Sequence, residues 1–177
     1  KKSRNTWVLA LVVLATAGIA ATLAALGTEG SPLTHAIRSA ALMGYQLVFL
    51  SIVSSAYMID LVRFFGRPFI KVHHTLSVTG LVFITAHPIL VAIQDGSAAV
   101  FVPQFDSLRV FAALGGRPAW YLIALAVAAA FLRRRIGNAW RGIHFLNYVA
   151  FALATAHANL LGANFQIHSR GGVQEVV

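Results

Sequence analysis

Long apolar runs are the feature of this sequence that most restricts its fold. A helix of about 20 residues crosses the roughly 30 Å hydrocarbon core of a bilayer, where only helices and closed barrels satisfy every backbone polar group. The sequence therefore predicts an all-α integral membrane bundle of about five transmembrane helices, forming one domain over residues 1–177. The predicted spans are 7–26, 36–62, 72–93, 118–132 and 142–163.

Composition supports a membrane location. Charged residues make up 11% of the chain, and the mean hydropathy is +0.75, whereas a soluble domain carries about 25% charged residues. Because cysteine is absent, disulfides, zinc–thiolate sites and iron–sulfur clusters are excluded. Residues 94–117 are predicted to be a long loop with a short helix at 108–114, and the sequence shows no internal repeat.

The basic residues are divided unequally between the two sides of the predicted bundle. With a cytoplasmic N-terminus, the inner side carries ten Lys and Arg residues and the outer side four. This bias follows the positive-inside rule and predicts that the C-terminus lies outside. It also accounts for the formal net charge of +9, so nucleic-acid binding is not needed to explain the excess of basic residues. The third and fifth helices then run in the same direction.

Five histidines lie in the third and fifth spans, His73, His74, His87, His144 and His157, where titratable groups are costly unless they have partners. His73 and His87 are fourteen residues apart, about 21 Å of rise and nearly on the same helix face. His144 and His157 are thirteen residues apart, and their phase on an ideal helix misses by roughly 140°. We expect local overwinding of the helix, a bend, or haems that meet the span from different sides to compensate for this phase mismatch.

The parallel spans place His73 at the depth of His144, near the cytoplasmic face, and His87 at the depth of His157, near the outer face. Since imidazole is a good axial ligand for haem iron, these pairs predict two bis-histidine b haems between helices three and five. A zinc or copper site needs more closely converging ligands. A proton relay more often uses Asp or Glu, which the spans lack centrally.

Other roles for the histidines are possible. A lone intramembrane histidine often only forms a hydrogen bond to a neighbouring helix. His74 is the alternative to His73 as a ligand, but it has the poorer phase relative to His87. His35 and His168 are expected to be solvated loop residues.

Short motifs surround the histidines, and His157 follows the last of them by thirteen residues. They read His73-His74-Thr75-Leu76, Ala86-His87-Pro88 and Trp140-Arg141-Gly142-Ile143-His144. Over residues 40–165 they resemble the ferric reductase-like transmembrane domain, a superfamily that includes ferric reductases, NADPH oxidases and the haem subunit of the bacterial periplasmic methionine sulfoxide reductase system. The resemblance implies b haems between the third and fifth helices and electron flow to the outer side, here in a bacterial inner (plasma) membrane.

By this resemblance, His73 and His144 would ligate the inner haem, and His87 and His157 the outer haem. Basic residues near the cytoplasmic face would pair with the propionates of the inner haem, although they fit equally well as topology determinants at a headgroup surface. They are Arg67, Lys71, Arg133, Arg134, Arg135 and Arg141.

The sequence also departs from the family. Full reductases carry a flavin and nicotinamide module after a sixth helix, but only fourteen residues follow Ala163 here, and no G-x-G-x-x-G fingerprint occurs. We therefore expect neither flavin nor NAD(P)H binding in this chain. The electron donor would be another protein subunit or a membrane quinol.

The predicted function is a di-haem cytochrome b-type subunit that carries electrons across the membrane from a cytoplasmic-side donor or quinol to an outer-side acceptor. It would be the electron-transfer component of an oxidoreductase rather than a complete enzyme. The alternatives are a stand-alone ferric or oxygen reductase acting at the outer haem, and a structural membrane subunit of a larger complex without a redox role.

Overall fold

The computed structural model describes residues 11–12, 14–19, 30–65 and 69–161. All regular secondary structure in these residues is helical, which confirms the predicted fold class. Contacts divide the chain into two compact units, Lys1–Gly96 and Ser97–Val177. The first predicted span lies largely outside the described residues, although 11–12 and 14–19 are helical.

Within residues 30–65 and 69–96 of the first unit, three helices follow the second and third predicted spans. They are α1 (Pro32–Ala56), α2 (Met58–Phe65) and α3 (Ile70–Asp95). The side chain of Ser31 accepts a hydrogen bond from the backbone N–H of Thr34 and caps α1. At the other end of the unit, Gly96 ends α3 with a φ of 63°, the left-handed conformation that glycine adopts without strain.

Helices α1 and α3 pack antiparallel through a stripe of residues on α1. Two close approaches define the contact, because an added Cβ on Gly44 would lie 2.9 Å from the backbone N of Ile84, and one on Gly80 would lie 3.1 Å from the Cβ of Leu47. Small residues of this kind let membrane helices approach closely. The buried positions of α1 recur every three or four residues: Ile37, Ala40, Gly44, Leu47, Ser51 and Ser54.

The second unit begins with a 3₁₀ turn, Ala98–Phe101, and continues with short and medium helices. They are α4 (Leu108–Ala113), α5 (Gly116–Phe131), α6 (Arg133–Ile136), α7 (Ala139–His144) and α8 (Leu146–Leu161). The short helix expected at 108–114 is therefore present as α4. The helix α5 starts two residues earlier than the predicted fourth span, at a glycine that was expected to belong to the loop.

Helices α5 and α8 also pack antiparallel, again through small residues. Ala126 and Ala150 are completely buried, and an added Cβ on Gly115 would lie 2.8 Å from the carbonyl oxygen of Leu153. The glycine pair at 115–116 is thus a point of close helix contact at the start of α5.

Among the described residues, two helices are long and apolar enough to cross a membrane, Pro32–Ala56 and Ile70–Asp95, and Gly116–Phe131 is a shorter apolar helix. The fifth predicted span is divided at Phe145 between α7 and α8, and the number of crossings remains a prediction. Large apolar side chains stay exposed along the helices, for example Phe131 at 79%. Such surfaces are characteristic of contact with lipid or protein.

Candidate functional site

His73 lies in the first turn of α3 and faces α1. Its Nδ1 is 3.1 Å from the carbonyl oxygen of Ser51 and 3.2 Å from the Ser51 hydroxyl. A carbonyl oxygen can only accept, so Nδ1 carries the proton and donates it. The lone pair of the neutral ring then resides on Nε2.

His87 lies almost four turns further along α3 and has the same arrangement. Its Nδ1 is 3.2 Å from the carbonyl oxygen of Ile37 on α1, so Nδ1 again donates. Both histidines of α3 therefore point their Nδ1 atoms towards α1, as expected for two residues on nearly the same helix face.

His144, the last residue of α7, has two polar neighbours at Nδ1. The carbonyl oxygen of Ala126 lies 3.2 Å away, and the side-chain amide of Asn147 lies 3.3 Å away. The carbonyl requires a donor at Nδ1, whereas the Asn147 atom at 3.3 Å is the amide nitrogen Nδ2, which also donates. Both contacts are satisfied when the ring is protonated on Nδ1 and the amide is turned so that its oxygen faces the ring.

His157 in α8 has the shortest of these contacts. Its Nδ1 donates to the carbonyl oxygen of Ala113 over 2.6 Å. The ring lies directly on the backbone of Gly116, where an added Cβ would be 3.0 Å from Cδ2 and 3.2 Å from Nε2 of the imidazole. Any residue larger than glycine at position 116 would crowd the His157 ring.

An interruption of the helix at Phe145 corrects part of the phase mismatch of the thirteen-residue spacing, because one three-residue 3₁₀ turn gains about 60° of the roughly 140° required. Helix α7 ends at His144 and α8 begins at Leu146, and the N–H of Tyr148 donates to the carbonyl of Phe145 over 3.0 Å. This i to i+3 bond tightens the chain to about 120° per residue, compared with about 100° in an α-helix. The overwinding advances the phase in the required direction, and His144 and His157 both reach carbonyls of the preceding helices.

The four predicted ligands thus share one feature: each Nδ1 donates to a backbone carbonyl of a neighbouring helix. This is the outer hydrogen bond that metal-binding histidines use to fix the tautomer and the ring orientation. The rival residue His74 is exposed, and its described contact is with the ring of His73, at a centroid distance of 5.9 Å. The geometry therefore favours His73 over His74.

Two other histidines require comment. His35 lies in the first turn of α1 and is partly buried, so the expectation that it belongs to a solvated loop is wrong. Helix α1 begins at Pro32, four residues before the predicted span. His168 lies outside the described residues.

The basic residues predicted to meet haem propionates lie at helix ends. Lys71 is exposed two residues before His73, and Arg133 is exposed at the start of α6 together with Arg134 and Arg135. Arg141 lies 5.8 Å from the centre of the Trp140 ring, which is itself 5.7 Å from the His144 ring. Arg67 lies outside the described residues.

Several polar and small residues around the histidines were missed by sequence reasoning. Ser51 and Ser77 lie within otherwise apolar runs, and no motif distinguishes them. Asn147 follows His144 by three residues, a spacing that could have indicated a contact on one helix face. The contact between Gly116 and His157 could not have been predicted, because a glycine pair usually indicates a turn.

The donor set fits haem. Neutral imidazoles whose Nε2 carries the lone pair are the axial ligands that haem iron takes in b-type sites, and all four rings are partly buried. Haem needs only two such ligands. Groups of three or more His, Asp or Glu side chains that could hold a bare metal ion do not occur among the described residues.

The comparison with protein families agrees with this site. The ferric reductase like transmembrane component family matches residues 38–155, a segment that includes His73, His87 and His144. No match was found among curated proteins or solved structures. Because the matched segment covers most of the 177 residues, the chain belongs to the ferric reductase-like transmembrane family, whose members commonly bind haem.

Proposed function

We propose that this chain is a di-haem cytochrome b-type membrane subunit. It carries electrons from a cytoplasmic-side donor subunit or quinol to an acceptor on the outer side of a bacterial inner membrane. Membership of the ferric reductase-like family supports a role in membrane electron transfer. The positive-inside charge bias of the sequence supports the orientation of the chain in the membrane, and the outward direction of transfer follows from the resemblance to the family.

The observation that carries the proposal is the common state of the four histidines. Each has Nδ1 tied to a backbone carbonyl, at distances between 2.6 and 3.2 Å. A carbonyl acceptor at Nδ1 orients each ring and leaves the lone pair on Nε2, the nitrogen that a metal ligand needs. All four rings therefore satisfy this requirement of an axial ligand.

We assign His73 and His144 to the inner haem and His87 and His157 to the outer haem. When bound, each haem supplies a one-electron carrier. His73, His87, His144 and His157 would hold the two haems, and ligation by two imidazoles would leave a substrate no vacant position on the iron. The chain therefore acts by conducting electrons, and the reduction of a substrate belongs to a partner on the outer side.

The basic residues have a supporting role in this proposal. Arg67, Lys71, Arg133 and Arg141 would pair with the propionates of the inner haem and compensate their negative charge. In the structure Lys71, Arg133 and Arg141 are exposed, so their side chains are available to an anionic group.

Purification from haem-replete cells tests the proposal. We expect a reducible b-type absorption spectrum, low-spin iron and two haems per chain. The His87→Ala variant should lose the low-spin signal of one haem and stop electron transfer to an outer acceptor, while the protein still assembles in the membrane.

His74→Ala is the matched control, because it removes a neighbouring imidazole whose tautomer the structure does not fix. It should keep both haems. A folded wild-type protein without haem would contradict the proposed function. Retention of both low-spin haems by His87→Ala would contradict the assignment of that ligand.

A further inference from the structure

His73 has a hydrogen-bonded surrounding that includes two serine side chains. The Ser51 hydroxyl is 3.2 Å from Nδ1 of His73 and 2.6 Å from the Ser77 hydroxyl. The Ser77 hydroxyl in turn donates to the backbone carbonyl of His73 over 2.8 Å. Together these contacts form a closed ring from His73 through Ser51 and Ser77 back to His73.

The donors in this ring can be assigned in one consistent direction. Because the Ser77 hydrogen is directed to a carbonyl, Ser77 must accept in its contact with Ser51, and Ser51 must donate. The lone pairs of Ser51 therefore face the N–H of His73. Nδ1 of His73 then shares its proton between the carbonyl and the hydroxyl of one residue, Ser51.

This arrangement has an electronic consequence. An acceptor at the outer nitrogen increases the basicity of an imidazole ligand, and a hydroxyl that donates onward becomes a better acceptor through cooperativity. A more basic imidazole stabilises the more highly charged, oxidised iron. The serine pair should therefore act on the potential of the iron that His73 ligates.

A purely structural role for the serines is the competing explanation. Ser77 bonds the carbonyl four residues earlier in its own helix, a common habit of helical serine. Ser51, however, is 6% exposed and directs its hydroxyl across the helix contact. A buried hydroxyl used only to join helices would affect assembly and stability without changing one haem selectively.

We infer that Ser51 and Ser77 are positioning residues that strengthen His73 as an axial ligand and lower the midpoint potential of its haem. The inference rests on the proposed function, since it requires haem at His73. It goes further by naming the side chains that tune one of the two haems and by giving the sign of their effect.

Redox titration of the purified holoprotein, followed by absorption and by low-spin EPR, tests this inference. Ser51→Ala should raise the midpoint potential of one haem and leave the other unchanged. The expected change is up to about tenfold in the reduction equilibrium, about 59 mV for one electron. Ser77→Ala should shift the same haem in the same direction by less, and Ser77→Thr, which keeps the hydroxyl, should restore it.

Ser54→Ala is the matched control, because it also removes a buried serine hydroxyl from α1. The Ser54 hydroxyl donates to the Ser51 carbonyl over 2.8 Å and so competes with His73 for this acceptor. Its removal should leave the midpoint potential unchanged or lower it. An upward shift in Ser54→Ala equal to that in Ser51→Ala would overturn the inference.

The remaining outcomes distinguish a failure of this inference alone from a failure of the proposed function. Two haems with unchanged potentials in both Ser51→Ala and Ser77→Ala would overturn the inference and leave the function standing. If Ser51→Ala does not assemble, Ser77→Ala decides alone, because Ser77 is only partly buried whereas Ser51 is buried. A wild-type protein without haem would overturn the function, and this inference with it.

Discussion

The two units of the chain present histidines in the same way on different helical frameworks. In the first unit, α3 is continuous over 26 residues and carries His73 and His87 on nearly one face. In the second unit, the corresponding segment is divided at Phe145 into α7 and α8. Yet in both units each histidine donates its Nδ1 proton to a carbonyl of an earlier helix, which is α1 in the first unit and α5 or α4 in the second.

The two units therefore have in common a backbone carbonyl that accepts a hydrogen bond from each histidine. They do not share an uninterrupted helix. A fourteen-residue spacing needs no correction, whereas a thirteen-residue spacing needs the tight turn at Phe145. The sequence shows no internal repeat. The similarity therefore lies in the packing of antiparallel helices and in the tautomer that this packing selects.

The largest expected effect comes from removing one ligand in each unit. If one haem joins His73 and His144, then His73→Ala and His144→Ala should lose the low-spin EPR signal of the same haem. The double variant should lose no more than either single variant, because residues that act as a unit are not additive. Two different haems lost by the single variants, or both haems lost by the double variant, would contradict the pairing.

A smaller effect is expected at Gly116, which binds no iron in this proposal but supports the His157 ring. Gly116→Leu places a side chain where even a Cβ would be 3.2 Å from Nε2, so it should displace the ring and reduce the outer haem content. Gly116→Ala should have a weaker effect in the same direction. The measurement is the haem-to-protein ratio together with the low-spin signal.

Gly142→Leu is the matched control for Gly116→Leu. It makes the same substitution at a helical glycine of the same unit, where an added Cβ meets nothing within 4 Å. Both haems should be retained. Equal haem loss in the two leucine variants would show that the contact between Gly116 and His157 is not responsible.

The sequence predicted the helix α3 well, because apolar length and helical periodicity are local properties. The predicted span 72–93 lies within Ile70–Asp95. Phase arithmetic also showed that the segment between His144 and His157 needed a distortion. It could not locate the distortion, because its position depends on which carbonyls the two rings reach.

Tertiary contacts explain what the sequence could not provide. Glycine favours both turns and close helix contacts, so Gly115 and Gly116 were assigned to a loop although they lie where α5 approaches α8. Serine within an apolar run is equally ambiguous, because its hydroxyl can bond its own helix. Ser51 became informative only when α3 placed His73 beside it.

The smallest expected effect is at Asn147, the counterpart in the second unit of the serine pair in the first. Its amide nitrogen Nδ2 lies 3.3 Å from Nδ1 of His144, so a half-turn of the amide brings the oxygen to this position as an acceptor. The Ala126 carbonyl remains as an acceptor when the amide is removed. Asn147→Leu should therefore raise the midpoint potential only slightly, and of the same haem that Ser51→Ala affects. Combined with Ser51→Ala, it should shift that haem further, because the two variants act on opposite axial ligands. If Asn147→Leu instead shifts the midpoint potential of the other haem in a redox titration, His144 and His73 do not ligate the same haem. The similarity of the two units is then limited to their helix packing.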